Sequence, residues 1–186
     1  MNIPSVYDDI RPFEPDELQD VYKRLLDNEQ FRQVLAYLYP GVPAEAIGAK
    51  MMQCKTNLEF QLAFCYGFLK NLMDTTDVDV TKRYTFVSNH RDIVLDSALL
   101  DVLLYDAGFK TTCEIAIGDN LLSLPWVKDL VRLNKSFIVQ RSLAPREMLL
   151  ASKKMAEYMH FVIKEKNDNI WIAQREGRAK DSNDRT

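Results

Sequence analysis

Apolar positions in the first 77 residues recur at helical spacing. Leu18, Val21, Leu25 and Leu26 fall three or four apart after Pro15-Asp16-Glu17, whose carboxylates suit the first turn of a helix. Phe31, Val34, Leu35 and Leu38 continue the pattern, Pro40-Gly41 interrupts it, and Pro43-Ala44-Glu45 opens another short helix. A further helix follows, with Asn57 as its expected cap and Phe60, Ala63, Phe64, Gly67, Phe68 and Leu72 on one wide apolar face. From Arg83 the rhythm changes. Short β-prone runs at Tyr84–Ser88, Lys110–Ile117, Ser136–Val139 and Asn169–Ala173 alternate with helical patterns over about 93–107, 120–132 and 145–165. This alternation predicts an α/β fold: an N-terminal helical segment, 1–77, followed by an α/β domain, 78–186, with a largely parallel sheet under helical cover. In such sheets, functional groups gather where strands end and helices begin.

Composition narrows the class. The chain has 186 residues, 47% hydrophobic and 27% charged, enough apolar material for one core with an appended helical segment. A formal charge of -3 leaves no global positive field for a nucleic-acid backbone, so a phosphate must be gripped locally. Cys54, Cys65 and Cys113 are odd in number and lack CxxC spacing, which suits a reduced, cytoplasmic setting. No apolar run reaches the ~18 residues of a membrane span, and the acidic start does not read as a targeting peptide. Aromatic and aliphatic residues flanked by Lys and Arg leave peripheral seating on the inner face of a membrane open.

Three segments carry candidate chemistry. The first, Ser88-Asn89-His90-Arg91-Asp92-Ile93-Val94-Leu95-Asp96, lies at a strand-to-helix junction. An imidazole there can take a proton near neutral pH, and a carboxylate on the first turns of the helix can hold its other nitrogen. Equally, His90 can satisfy backbone groups in the turn while Asp92 caps the helix. The second, Arg132 to Arg141, is a strand with basic residues on each side. Arg141 at its end can present a fork to a phosphate or remain a solvated surface arginine. The third runs from Ile170 to Arg178 and delivers Glu176, Gly177 and Arg178 to a strand end. Gly177 either lets backbone approach a ligand or serves an ordinary turn. A parallel sheet brings the three strand ends together.

In order and content these segments resemble the glycerol-phosphate and lysophosphatidate acyltransferase superfamily over roughly residues 83–178. The family's Asn-His and later Asp correspond to Asn89, His90 and Asp96, its Phe-Ile-x-Arg strand to Phe137-Ile138-Val139-Gln140-Arg141, and its Glu-Gly-x-Arg block to Glu176, Gly177 and Arg178. The family places four residues between His and Asp. Here five intervene and Leu95 occupies the family's acid position, so Asp96 is the acid expected to pair with His90 and Asp92 the alternate. The second block fits when read from Ile138, and the third places arginine directly after Gly177.

The resemblance implies direct acyl transfer from a thioester, on acyl carrier protein or coenzyme A, to the hydroxyl of a glycerol-phosphate or lysolipid acceptor, with no metal or other cofactor. His90 would act as general base oriented by Asp96. Arg141, Arg178 and Lys135 would hold the acceptor phosphate, and Glu176 would orient those cations or bind an acceptor hydroxyl. A membrane surface is an implied partner. Such families continue past the third block, so the domain is expected to be incomplete at Thr186. Two alternatives stand beside this expectation: O-acylation of an amino-acid-containing lipid, and a noncatalytic lipid- or protein-binding module on the same fold.

Other features are assigned to structure. His160 lies beside Met159 and Phe161 on a helix, and two histidines cannot build a His-rich metal site. Met51, Met52, Phe60, Phe64, Phe68 and Met73 read as helix-packing groups, with a membrane-facing role as the alternative. Arg175, Arg178, Lys180 and Arg185 form a cationic cluster suited to solvent or to a lipid phosphate.

Overall fold

The computed structural model describes residues 3–66, 78–90, 92 and 95–174. Among the described residues, four α-helices precede the sheet: α1 (Leu18–Asp27), α2 (Glu29–Leu38), α3 (Ala44–Gln53) and α4 (Asn57–Phe64). The apolar stripe of α1 buries Leu18, Val21, Tyr22 and Leu25 against Phe31 and Leu35 of α2, Ile47 and Met51 of α3, and Phe60 of α4. Val34 and Leu38 of α2 stay exposed, because only one side of that helix has a neighbour. Gly41 turns the chain at φ +82°, a conformation that glycine adopts without strain. Thr56, not Asn57, caps α4: its Oγ1 accepts the Glu59 amide at 3.1 Å, and Glu59 Oε2 accepts the Lys55 amide in return. Asn57 instead donates from Nδ2 to the Leu133 carbonyl at 2.7 Å, tying the helical segment to the α/β part. Gly67, Phe68, Leu72 and Met73 lie outside the described residues.

The expected alternation follows: β1 (Thr85–Ser88), α5 (Leu95–Asp106), β2 (Cys113–Gly118), α6 (Pro125–Leu133), β3 (Ser136–Val139), α7 (Pro145–Phe161) and β4 (Asn169–Ala173). Helix α6 starts five residues later than the pattern suggests, because Pro125 suits a first helical position and residues 119–121 form a separate single turn. The α7 segment closes on Asn167 at φ +57°, a left-handed helix stop. All pairings are parallel, in the order β1-β4-β2-β3, with Thr85 opposite Ile170 and Ile115 opposite Ser136. Alternate residues feed two cores. Trp171, Ile115 and Cys113 meet Leu104 of α5, whereas Ile170 and Ile138 meet Tyr158 of α7. Residues before α1 run along the outer strand, where the Ile138 amide donates to the Ile10 carbonyl at 2.8 Å. Arg132 pins this segment by donating to the carbonyls of Arg11 and Asp8.

One charged residue lies inside the sheet. Glu114 of β2 is fully buried beneath α7, where Tyr158 Oη donates to its Oε2 at 2.6 Å and Lys166 Nζ stands 2.9 Å from Oε1. Burial pushes the Glu114 carboxyl above its ordinary range, against the pull of Lys166. Removing one member of such a pair leaves the other without compensation. Lys166→Met is therefore expected to lower unfolding free energy by about 3 kcal/mol in urea titrations, and adding Glu114→Gln should recover part of that loss.

Candidate active site

Because every strand runs the same way, the carboxyl ends of β1, β4, β2 and β3 share one edge. His90 follows β1 on that edge. Its Nδ1 lies 3.2 Å from Oδ2 of Asp96, in the first turn of α5. The same Oδ2 accepts the Asp92 amide at 3.0 Å, and Asp92 Oδ1 accepts the Leu95 amide at 2.8 Å. The two carboxylates thus divide two tasks. Asp92 caps α5, while Asp96 closes a reciprocal cap one residue longer than the usual capping box and reaches the imidazole. Leu95, at the position of the family's acid, is exposed.

A carboxylate on Nδ1 favours the proton there and leaves the basic lone pair on Nε2. The His90 side chain is 14% exposed, shielded yet reachable. Trp171 on the neighbouring β4 backs it edge to face at 6.0 Å between centroids and donates from Nε1 to Ser88 Oγ at 3.0 Å. In the sequence Trp171 is one residue of an apolar strand, and its pairing opposite Phe86 at the head of this site is visible only in the register.

Arg141, just beyond β3, is exposed on the same edge and folds back over the end of β2. A Cβ at Gly118 would press on Asn120 Oδ1 and come within 3.3 Å of Arg141 Nε, so glycine makes room there. The Arg141 amide donates to Asp119 Oδ1 at 3.1 Å, which fixes the turn. Gly118 and Asp119 escaped sequence reading, although Gly-Asp directly after an apolar run is the same signal as Glu176-Gly177 after β4. Two strand spacings, about 10 Å, separate the ends of β2 and β1. Beside Arg141, a groove of about 330 Å³ runs between β3 and α7, lined by Ile138, Val139, Met148, Met155 and Lys154.

Lys135 does not join this edge. It precedes β3, so it sits at the amino ends of the strands, where Nζ donates to Thr111 Oγ1, the Thr112 carbonyl and Asp168 Oδ2 at 2.8–2.9 Å. All three ammonium protons have partners, and the expected phosphate role is corrected to a buried structural one. Glu176, Gly177 and Arg178, with Arg175, Lys180 and Arg185, lie outside the described residues. The strand that leads to them is described: β4 lies next to β1, and the Gln174 amide still donates to the Ser88 carbonyl at 2.9 Å.

A family model described as Acyltransferase, the family of glycerol-phosphate and lysophosphatidate acyltransferases, matches residues 70–184, more than half of the chain. The chain belongs to this acyltransferase family. The match takes in all four strands, His90, Asp96 and Arg141, and leaves α1–α4 outside it. No curated protein matches the chain.

Behind the site of this acyltransferase, Asp101 anchors α5. Its Oδ1 accepts the Cys113 amide at 2.8 Å and its Oδ2 accepts Gln61 Nε2 at 3.3 Å, while Gln61 Oε1 accepts Thr112 Oγ1 at 2.6 Å. Burial pushes the Asp101 carboxyl up to about 7, against the hydrogen bond from Cys113 and the field of Lys135. All three cysteines are free, and burial pushes the thiols up, that of Cys65 to about 11, so they are poor nucleophiles at neutral pH. Among the described residues, no group of three or more His, Cys, Asp and Glu side chains is arranged to hold a metal, and no helix is long and apolar enough to cross a membrane. His160 is exposed in the last turn of α7.

Proposed function

We propose that this acyltransferase moves a fatty acyl group from a thioester, carried by acyl carrier protein or coenzyme A, to the hydroxyl of a glycerol-phosphate-type acceptor. The observation that carries the reading is the His90–Asp96 pair on the carboxyl edge of the sheet. His90 Nε2 takes the acceptor's hydroxyl proton as that oxygen bonds to the thioester carbonyl carbon. The C–S bond breaks, and the departing thiolate recovers the proton from the imidazolium. Asp96 holds the ring in the required tautomer and stabilises its cationic form. Arg141 grips the acceptor phosphate through its guanidinium fork, turning an encounter into a near-unimolecular step. The groove beside Arg141 offers apolar walls to the chain of a lysolipid acceptor, which supports a one-chain acceptor over bare glycerol phosphate.

The test is thiol release and ester formation by the purified protein with coenzyme A and acyl carrier protein thioesters, against glycerol phosphate and lysophosphatidate. Arg141→Ala is expected to raise KM for the phosphate acceptor by about 10–100-fold while leaving KM for the thioester near its original value. Equal effects on both substrates would remove Arg141 from the acceptor site. Absence of transfer from every thioester would favour the noncatalytic lipid-binding alternative.

A further inference from the structure

We propose that the outward face of the first turns of α7, formed by Arg146, Leu149, Leu150 and Lys153, seats the protein on an anionic lipid bilayer. The four residues fall at i, i+3, i+4 and i+7, so they line one stripe of the helix. Leu149 is 71% exposed and Leu150 63% exposed, while Met148, Ala151 and Met155 wall the groove and Tyr158 is buried on the sheet. Two adjoining leucines on the solvent side of a helix that already has a buried side are not needed for packing.

Charge selects the occupant. Residues 141–154 contain four cations, Arg141, Arg146, Lys153 and Lys154, against the single carboxylate of Glu147, in a chain whose net charge is -3. Glu147 is turned to its own helix start, where it accepts the Ala144 amide at 3.4 Å. Lys154 is bound to Asp9, and Lys153 stands 3.8 Å from Glu157 in a pair open to solvent, a contact weak enough to exchange for another anion. Leucines between long cationic side chains match the layering of a lipid interface: aliphatic tips at the acyl boundary, guanidinium and ammonium groups at the phosphates. A second copy fits less well, since a two-fold contact through this stripe would bring cations toward cations. The stripe begins where β3 ends, so it shares its edge with His90 and Arg141, and the partly exposed Leu121 and Leu124 follow β2 there.

The test is co-sedimentation of the full chain with phosphatidylcholine vesicles, with and without about one third phosphatidylglycerol. No acyl donor is present, so failure here leaves the acyl-transfer reading standing. Binding is expected to require the anionic lipid and to weaken as NaCl rises to about 0.5 M. The double variant Leu149→Ser, Leu150→Ser should lose about tenfold in partition with its unfolding midpoint unchanged. Tyr37→Ser, at a residue 85% exposed on α2, should bind as the original does. Undiminished binding of the double variant, an equal loss in Tyr37→Ser, or equal binding to neutral vesicles would overturn the proposal. A concentration-dependent dimer that disappears in the double variant would overturn it in favour of a second copy.

Discussion

Replacing His90 with alanine is expected to lower kcat for acyl transfer by about 10²–10⁴-fold, the range a positioned general base supplies. The ring is 14% exposed and lies beyond the end of β1, so the variant should keep the far-ultraviolet spectrum and lose at most about 1 kcal/mol of stability. Asp96→Asn sharpens the result. The Asp92 amide and His90 Nδ1 share one oxygen, Oδ2, so an asparagine oxygen in its place keeps both contacts and the tautomer and removes only the negative charge that stabilises the imidazolium. A loss of kcat smaller than that of His90→Ala follows, because the base remains in place. Asp92→Asn is the control, because asparagine caps helices as well as aspartate does; it should leave kcat within about threefold. Full activity in His90→Ala would remove the general base, and with it the mechanism proposed for this site.

Asp101→Asn is expected to flatten the pH dependence of stability. The folded chain keeps the Asp101 proton up to about 7, whereas the ordinary carboxyl value is 3.8. Between those values the folded state binds more protons than the unfolded state, so stability is full below the lower value and falls as pH rises toward the upper one. The fall approaches about 1.4 kcal/mol per pH unit and levels off above pH 7. Asparagine keeps the oxygen for the Cys113 amide, and a flipped Gln61 amide can then accept from Asn while donating to Thr112. Urea unfolding at several pH values should show the original protein losing ground to Asp101→Asn between pH 4 and 7. The raised Glu114 carboxyl contributes to both proteins and cancels in the difference. Parallel curves would mean that Asp101 does not titrate in this window. Since Asp96 and Asp101 share α5, this measurement also reports how firmly the proposed catalytic acid's helix is anchored.

Much of this architecture was legible in the chain. Alternation of two-residue and helical periods implies a parallel sheet, and such a sheet brings the ends of β1, β3 and β4 to one edge without any knowledge of their order. The pairing of His90 with Asp96 was readable only as a choice between two acids. It rests on which oxygen comes within reach of Nδ1, and spacing alone does not set that distance. Lys135 belongs to the opposite edge, which its sequence position already implies: it precedes its strand, and the candidate site follows the strands. Glu114 and Asp101 are inconspicuous in the sequence for another reason. A lone acid inside an apolar strand or helix looks like a solvent-facing position until the layers packed on that element are seen, and the partners of Glu114 and Asp101, Lys166 and Gln61, stand 52 and 40 residues away.

The strand order carries a consequence for synthesis. Among the strands, β1 has β4 alone as a neighbour, with Thr85 opposite Ile170. During translation the segment that bears His90 leaves the ribosome early and waits unpaired until the chain has grown past residue 170, while β2 and β3 can already zip together. A nascent or truncated product lacking β4 would therefore leave the backbone edge of β1 at Phe86 unpaired and His90 without the Trp171 ring behind it.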